Sequence, residues 1–329
     1  MDLLMGLGKT RIAIESAVRA LDVERRRTRV VFVTRPDVCA HIREEIARYT
    51  DDDSNVEFEV FSYTSVPSPY YCDWLVVDEC HDVYKKKVVM ARLATVSRSF
   101  VVLLTGSSGS SRELARQFHA LVGPGQPLVF RSDTAASVVV PARQTTMSIV
   151  LGQGQRESYN QKVEAVKSAS GGVARTNMMR SLREFLSNEK VPSIGVALKS
   201  CSLRKVVLFS AFRSTLLLLR LTLPKQQTVW CDGTVSQSRR RAALTTFRSD
   251  SSKRFLVLSL GLFSHGVDLG YCNGLVLCEP PWSGAEHRQT LCRLQRIGQA
   301  NNQEILLVVC DDTLEAKLLA SNSVPTLVV

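Results

Sequence analysis

The segment WLVVDECH at residues 74–81 decides the fold class, because it joins an apolar run to two adjacent carboxylates. A continuous apolar run bounded by polar residues is typical of a strand buried on both faces of a parallel sheet. Asp78 and Glu79 then stand at the carboxyl end of that strand, where open α/β sheets bind their ligands. Asp78 is a candidate ligand of Mg²⁺, and Glu79 is a candidate for orienting and polarising an attacking water. Taken alone, the segment also fits a strand followed by a solvated acidic turn.

Further apolar runs accompany this strand in the first half of the chain, with helical patterns between them. The runs cover residues 30–34, 57–61 and 101–105, and the helical patterns cover 11–21 and 38–49. This alternation predicts a doubly wound α/β lobe around a parallel sheet.

A second series of apolar runs begins near residue 204 and predicts a second α/β lobe. Its runs and the helical patterns between them lie at residues 205–210, 228–231, 238–247, 255–259, 274–278, 285–296 and 304–310. The region between the two series lacks this rhythm and has one helical pattern, at residues 175–186. We therefore expect two tandem lobes, at residues 1–130 and 203–329, with a linker and a small helical insertion at 131–202.

The segment Met5-Gly6-Leu7-Gly8-Lys9-Thr10 has the composition of a phosphate-binding loop, and a helical pattern follows it. Glycines let backbone N–H groups turn toward a phosphate, and the start of a helix favours an anion. Lys9 fits the lysine that reaches the β- and γ-phosphates, and Thr10 fits the hydroxyl that holds Mg²⁺. A chance Gly-Lys-Thr turn is the alternative, but the order and separation of Lys9 and Asp78 favour the functional interpretation.

A third cluster of polar residues lies in the helical pattern near the C-terminus. Gln289, Arg293 and Arg296 are spaced at i, i+4 and i+7, so they share one face of that helix. Two guanidinium groups there would suit the γ-phosphate of a nucleotide bound on the facing lobe, because arginine stabilises charge in phosphoryl transfer. A solvated basic face is the ordinary alternative.

The composition narrows the class of protein further. The net charge is +11, which favours a polyanionic partner, most simply nucleic acid. The nine cysteines include no C-x-x-C pair and lie mostly in apolar runs, so we expect reduced cysteines in an intracellular protein. The histidines are scattered, which gives no indication of a metal site made of protein ligands alone. We expect no secretory signal and no membrane span.

The order of these motifs resembles that of superfamily-two helicases, and within them the SWI/SNF-like DNA-dependent ATPases. The resemblance covers nearly the whole chain, and its most specific segment is residues 289–299, which are similar to the family's QAxxRxxRIGQ motif. Further segments resemble the family's MGLGKT loop, DExH box, third motif, dG(s/t) segment, STRAGGxGxNL motif, DPxWNP segment and TIEEKI segment. They lie at residues 5–10, 78–81, 105–107, 232–247, 259–269, 279–282 and 313–317.

This resemblance implies two RecA-like lobes, with ATP and Mg²⁺ as cofactors, and an ATPase that translocates on duplex DNA or remodels protein–DNA complexes. Gly266, Asp268 and Gln289 would then join the loop in binding the nucleotide, although Asp268 stands where the family usually has Asn. We expect the first strand of the first lobe to be truncated, because few residues precede the loop. The alternatives are a catalytically weakened relative that binds nucleic acid or a protein complex, and an RNA helicase of the same superfamily.

We expect nucleic acid, with double-stranded DNA favoured, and DNA-bound protein complexes as partners. Phosphate contacts from lobe edges position such proteins, and Thr34, Arg35 and Ser210 are the candidates at strand ends. We expect the protein to act inside a cell and not to be secreted. It would act in the nucleus if it is cellular, and in the host nucleus or cytoplasm if it is viral.

Overall fold

The chain folds into two compact α/β units, residues 1–138 and 139–329. The structure is a computed structural model, and the residues it describes are 8–21, 27–36, 38–51, 54–80, 83, 86–105, 121, 142–232, 235–259, 269–282, 286, 287, 290, 291, 294 and 302–321. The prediction of two tandem parallel-sheet lobes is confirmed, and it fits the expected pair of RecA-like lobes.

The first unit is built around a parallel sheet with the strand order β2-β1-β3-β4. Its elements are α1 (Lys9–Leu21), β1 (Thr28–Thr34), α2 (Cys39–Tyr49), β2 (Val56–Ser62), β3 (Tyr70–Val77), α3 (Lys87–Ala94) and β4 (Val96–Leu103).

Both faces of this sheet are covered, as the continuous apolar runs predict. In β1, Val30 and Phe32 pack into a cluster with Ile14 of α1 and Ile42 of α2. Val31 and Val33 point to the other face, into a cluster that includes α3. Because successive side chains of a strand alternate between faces, one apolar run supplies both cores. Packed cores on both faces of the sheet therefore support its carboxyl edge.

The second unit contains a six-stranded parallel sheet with the order β5-β10-β9-β6-β8-β7. Its elements are β5 (Arg143–Ile149), α4 (Gln153–Ser168), α5 (Gly172–Lys199), β6 (Val206–Ser210), α6 (Arg213–Thr222), β7 (Thr228–Cys231), α7 (Gln237–Ser249), β8 (Phe255–Ser259), β9 (Gly274–Leu277), β10 (Glu304–Cys310) and α8 (Leu314–Ser321).

Helices also cover both faces of the second sheet. Ile194 of α5 and Leu219 of α6 pack on one face, against Leu208 of β6. Phe247 of α7 packs on the other face, with Phe209 of β6 among its neighbours. Lys205, which precedes β6, holds the end of α7: its Nζ donates to the carbonyl oxygen of Phe247 in the last turn, and to that of Asp250 just after the helix at 2.7 Å. Such a contact satisfies carbonyls that the end of a helix leaves without partners.

The described part of residues 131–202 differs from the predicted linker and small insertion. β5 pairs with β10 at the edge of the second sheet, and α5 is a 28-residue helix that packs on that sheet. The sequence of β5 has no apolar run that would predict a strand, because most of its side chains are exposed. The predicted helix at 175–186 is too short because α5 continues past Pro192, an exposed position inside the helix.

Long as α5 is, its sequence is too polar for a bilayer. Across the ranges that the structure describes, no helix has both the length and the apolar character that a membrane crossing requires.

Candidate functional site

The start of α1 brings a lysine to the carboxyl edge of the first sheet. Gly8 has φ +71° and its carbonyl accepts the helical hydrogen bond from Ile12 N, so the helix begins directly after a left-handed residue. Glycine adopts that conformation without the cost that other residues incur. Lys9 follows it and is buried, and its Nζ has no hydrogen-bond partner among the described residues. A buried ammonium is costly unless it is paired, so a bound anion would stabilise it.

Asp78 is close enough to Lys9 for the lysine charge to lower its pKa, and it is held from three directions. Its Oδ2 accepts a hydrogen bond of 3.0 Å from Thr34 Oγ1, and its N–H donates to Val33 O at 2.9 Å. Tyr63 Oη donates to the carbonyl oxygen of Asp78 at 2.5 Å. The carboxylate is therefore fixed between the ends of β1 and β3.

The pKa of Asp78 reflects this position. Burial first, and the charge of Glu79 second, raise it to about 6, while Lys9 and the hydrogen bond from Thr34 act in the opposite direction. A bound cation would stabilise the ionised carboxylate, because its positive charge compensates for the hydration that burial removes.

Glu79 sits in a strained turn directly after Asp78. Its φ is +45°, a left-handed conformation that costs a residue other than glycine about 1–2 kcal/mol. The turn is locked by Cys80 N, which donates to Leu104 O at 2.9 Å, and by Leu104 N, which donates to Val77 O at 2.9 Å. This turn therefore holds two adjacent carboxylates, Asp78 and Glu79, at the edge where β3 and β4 end.

Together, these residues suit an anionic ligand that arrives with its own cation. Lys9 carries a positive charge, the start of α1 favours negative charge, and Thr10 and Asp78 are the residues that could hold a cation through their oxygens. Among the described residues, no group of three His, Cys, Asp or Glu side chains is placed to hold a metal ion. Mg²⁺ commonly takes one or two protein carboxylates and completes its shell with phosphate and water, so the Asp78 carboxylate with the Thr10 hydroxyl would suffice.

The structure corrects two of the three predicted contacts to nucleic acid. Thr34 is fully buried and its hydroxyl donates to Asp78. Ser210 is fully buried too, and its hydroxyl donates to Glu279 Oε1. Each hydroxyl orients a carboxylate instead of facing solvent. Arg35 is half-buried after the end of β1, and its contact with nucleic acid stays a prediction.

The second unit has a buried polar network that sequence reasoning missed. Glu279, just after β9, accepts hydrogen bonds from Ser187 Oγ at 2.8 Å and from Ser210, and burial raises its pKa. Arg183 donates to the carbonyl oxygen of Pro280 and lies 4.1 Å from the ring centroid of Trp282. Arg183 and Ser187 belong to the region predicted as a linker. Their i, i+4 spacing beside the apolar Leu182 and Leu186 is the signal that points to them.

Several predicted site residues lie outside the described residues. They are Met5, Gly6, Leu7, Gly266, Asp268, Gln289, Arg293 and Arg296. Their roles in binding a nucleotide or stabilising charge therefore stay predictions.

Comparison with known proteins finds similarity in the C-terminal part of the chain. The model of the helicase conserved C-terminal domain family matches residues 187–298. DNA repair protein rad8 of Schizosaccharomyces pombe is 32% identical over 117 residues, which are 35% of this chain and 10% of that protein. The DNA repair and recombination protein RAD54-like of Gallus gallus is 32% identical over 123 residues, which are 36% of this chain and 17% of that protein.

These matches therefore cover only about a tenth to a sixth of the length of the relatives quoted. Among solved structures, the Sulfolobus solfataricus SWI2/SNF2 ATPase core in complex with dsDNA aligns over 97% of this chain and 85% of that chain. Its TM-score is 0.45 and its sequence identity is 16%. A likeness at this score carries no argument, so the similarity to helicases rests on the C-terminal domain model and the sequence relatives.

Proposed function

We propose that this chain, which is related to the SWI/SNF-like helicases of superfamily two, is an ATPase that couples hydrolysis to work on nucleic acid. The observation that carries the proposal is the buried Lys9 ammonium, which has no hydrogen-bond partner in the described part of the chain and lies beside Asp78 at the start of α1. A phosphate would supply the missing anion.

The residues present fit ATP with Mg²⁺. Lys9 would hold the β- and γ-phosphates, and Thr10 and Asp78 would hold the cation. When bound, Mg²⁺ neutralises phosphate charge that would otherwise oppose phosphoryl transfer. Thr34 keeps the Asp78 carboxylate oriented. Glu79, fixed in its strained turn, would position the attacking water and accept its proton.

Double-stranded DNA is the partner that the supporting observations favour. The net charge of +11 favours a polyanion, and the relatives quoted above are named as DNA repair and recombination proteins. We therefore propose translocation on duplex DNA or remodelling of protein–DNA complexes, in the nucleus of a cell. The quoted relatives come from cellular organisms and lend no support to a viral protein.

Steady-state ATP hydrolysis, measured with duplex DNA, single-stranded DNA and RNA, tests this proposal. We expect duplex DNA to stimulate turnover most, and Lys9→Ala or Glu79→Gln to abolish it while circular dichroism stays unchanged. Lys199→Ala, which alters an exposed lysine of the second unit, is the matched control and should leave turnover unchanged.

Two other results would overturn the proposal in different directions. Stimulation by RNA in preference to DNA would make the chain an RNA helicase of the same superfamily. Salt-sensitive DNA binding by folded protein, without any stimulated turnover, would make it a weakened relative that binds nucleic acid.

A further inference from the structure

Helix α6 exposes a row of leucines on the surface of the second unit. Leu217, Leu218 and Leu221 are 44%, 38% and 81% exposed, although Leu216 and Leu219 of the same helix are buried in the core. The exposed positions are spaced at i, i+1 and i+4, so they fall on one side of the helix. Scattered apolar residues on a surface need no explanation, but a contiguous set of large ones marks an interaction site.

Helix α5, which packs against α6, also carries an exposed apolar side chain near their contact. A Cβ atom added at Gly195 would lie 2.3 Å from Thr222 Cγ2, so the backbone of α5 touches α6 at this point. Val196, next along α5, is 65% exposed, and Leu221 precedes Thr222. We call Val196, Leu217, Leu218 and Leu221 the leucine face.

A cavity opens beside the same helix contact. Its volume is about 210 Å³, and its walls include Gly195, Leu198, Thr222 and Leu223. Lys199 also lines it, and none of its lining residues is acidic. The cavity is therefore an apolar recess with a cationic rim, which can take one apolar side chain of a bound segment.

The charged residues near the leucine face are mostly basic, although Glu184 of α5 accepts a hydrogen bond from Ser214 of α6 at 2.5 Å. The chain has no Asp or Glu between Glu189 and Asp232, and it has seven Lys or Arg residues there. Two of the seven, Lys190 and Lys205, bond to groups inside the unit. The other five are exposed, and they are Lys199, Arg204, Arg213, Arg220 and Lys225. A partner for this surface therefore needs negative charge as well as apolar side chains.

We propose that the leucine face binds an amphipathic helix of a partner protein, with leucine-like side chains on one side and carboxylates flanking them. Such a helix fills an apolar groove with residues at i, i+3 and i+4 spacing. Its carboxylates would pair with Lys199, Arg213 and Arg220 around the rim. Nucleic acid would match the cations but would leave the leucines without apolar contacts.

The probe for this surface is a fluorescein-labelled synthetic helix of about five turns, with leucines on one side and glutamates on the others. Fluorescence anisotropy with the full chain should show saturable binding. Leu221→Asp should weaken it at least about tenfold, and Lys199→Glu about fivefold, since a few central residues carry most of the binding energy. A peptide with lysines in place of the glutamates should bind at least about tenfold more weakly.

Val173→Asp is the matched control, because Val173 is 77% exposed in the first turn of α5, outside the leucine face. It should leave binding unchanged. Equal binding of both peptides, or no effect of Leu221→Asp in protein with an unchanged melting temperature, would overturn the proposal. Displacement of the peptide by duplex DNA, binding of anionic vesicles that depends on Leu221, or self-association lost in Leu221→Asp would also overturn it. Each of these results assigns the surface to another occupant.

Discussion

The Lys9 ammonium and the Asp78 carboxylate are charges that the first unit holds out of water. An ionised group in such a place costs several kcal/mol unless other groups compensate for its lost hydration. Thr34 compensates Asp78 in part, and the described residues offer Lys9 Nζ no hydrogen bond. The fold therefore tolerates an energetic cost at this edge that a bound phosphate and cation would relieve.

This cost leads to a prediction about pH. Folding raises the pKa of Asp78 from 3.8 to about 6, so the folded chain binds more protons than the unfolded chain between these values. Stability should therefore fall as pH rises through this window, and the ionised carboxylate should destabilise the fold above pH 6. Asp78→Asn removes the charge and can still accept the hydrogen bond from Thr34.

We expect Asp78→Asn to be more stable to urea than wild type at pH 7.5, by about 3 kcal/mol, since the pKa rises by about two units and each unit is worth about 1.4 kcal/mol. The gain should shrink toward pH 4. Urea titrations without nucleotide or Mg²⁺ measure it. Equal or lower stability of the variant at pH 7.5 would show that burial of Asp78 carries no such cost.

Single residues also show where prediction from sequence stops. Lys9, Asp78 and Glu79 could be proposed from local order, because a glycine-lysine pair before a helix and a carboxylate pair after a strand are local patterns. The roles of Thr34 and Ser210 could not be predicted. Their carboxylate partners lie 44 and 69 positions away, so only the folded sheets bring hydroxyl and carboxylate together.

At the scale of elements, strands with apolar side chains on both faces could be predicted, and the mostly exposed β5 could not. β7, β8 and β10 begin and end where their apolar runs do, because both of their faces meet a core. β5 lies at an edge and is mostly exposed, so it carries no apolar run to detect. The length of α5 depends on packing against the sheet, which offsets the helix-breaking tendency of Pro192.

One buried ion pair ties two of these elements together and gives a second stability prediction. Lys190 of α5 donates to both carboxylate oxygens of Glu315 in α8, at 2.7 and 2.8 Å, and both side chains are fully buried. Lys190→Met should destabilise the chain by about 3–5 kcal/mol, because Glu315 would be left as an uncompensated buried charge.

The double variant Lys190→Met with Glu315→Gln should recover part of that loss, since a neutral amide needs no counter-charge and can still accept from Cys310 N. Thermal unfolding of the wild type, Lys190→Met, Glu315→Gln and the double variant gives the comparison. A double variant no more stable than Lys190→Met alone would mean that shape at this position matters more than charge.

At the scale of the whole molecule, each unit has its own sheet and its own cores on both faces of that sheet. The Lys9–Asp78 edge belongs to the first unit, and the similarity to the helicase C-terminal domain belongs to the second. The motif order along the chain connects the two, and that order was visible in the sequence. The proposal that both serve one ATPase therefore depends first on whether the edge around Lys9 binds a nucleotide.

Calorimetric titration of ATP into the full chain, with and without Mg²⁺, tests that claim most directly. We predict Mg²⁺-dependent binding that Lys9→Met weakens by about 10- to 100-fold, because a hydrogen bond to a charged group contributes about 1.5–3 kcal/mol. Lys199→Met, in the second unit, should bind ATP as wild type does. Folded wild-type protein that binds no ATP, or a Lys9→Met variant that binds it equally well, would contradict the account.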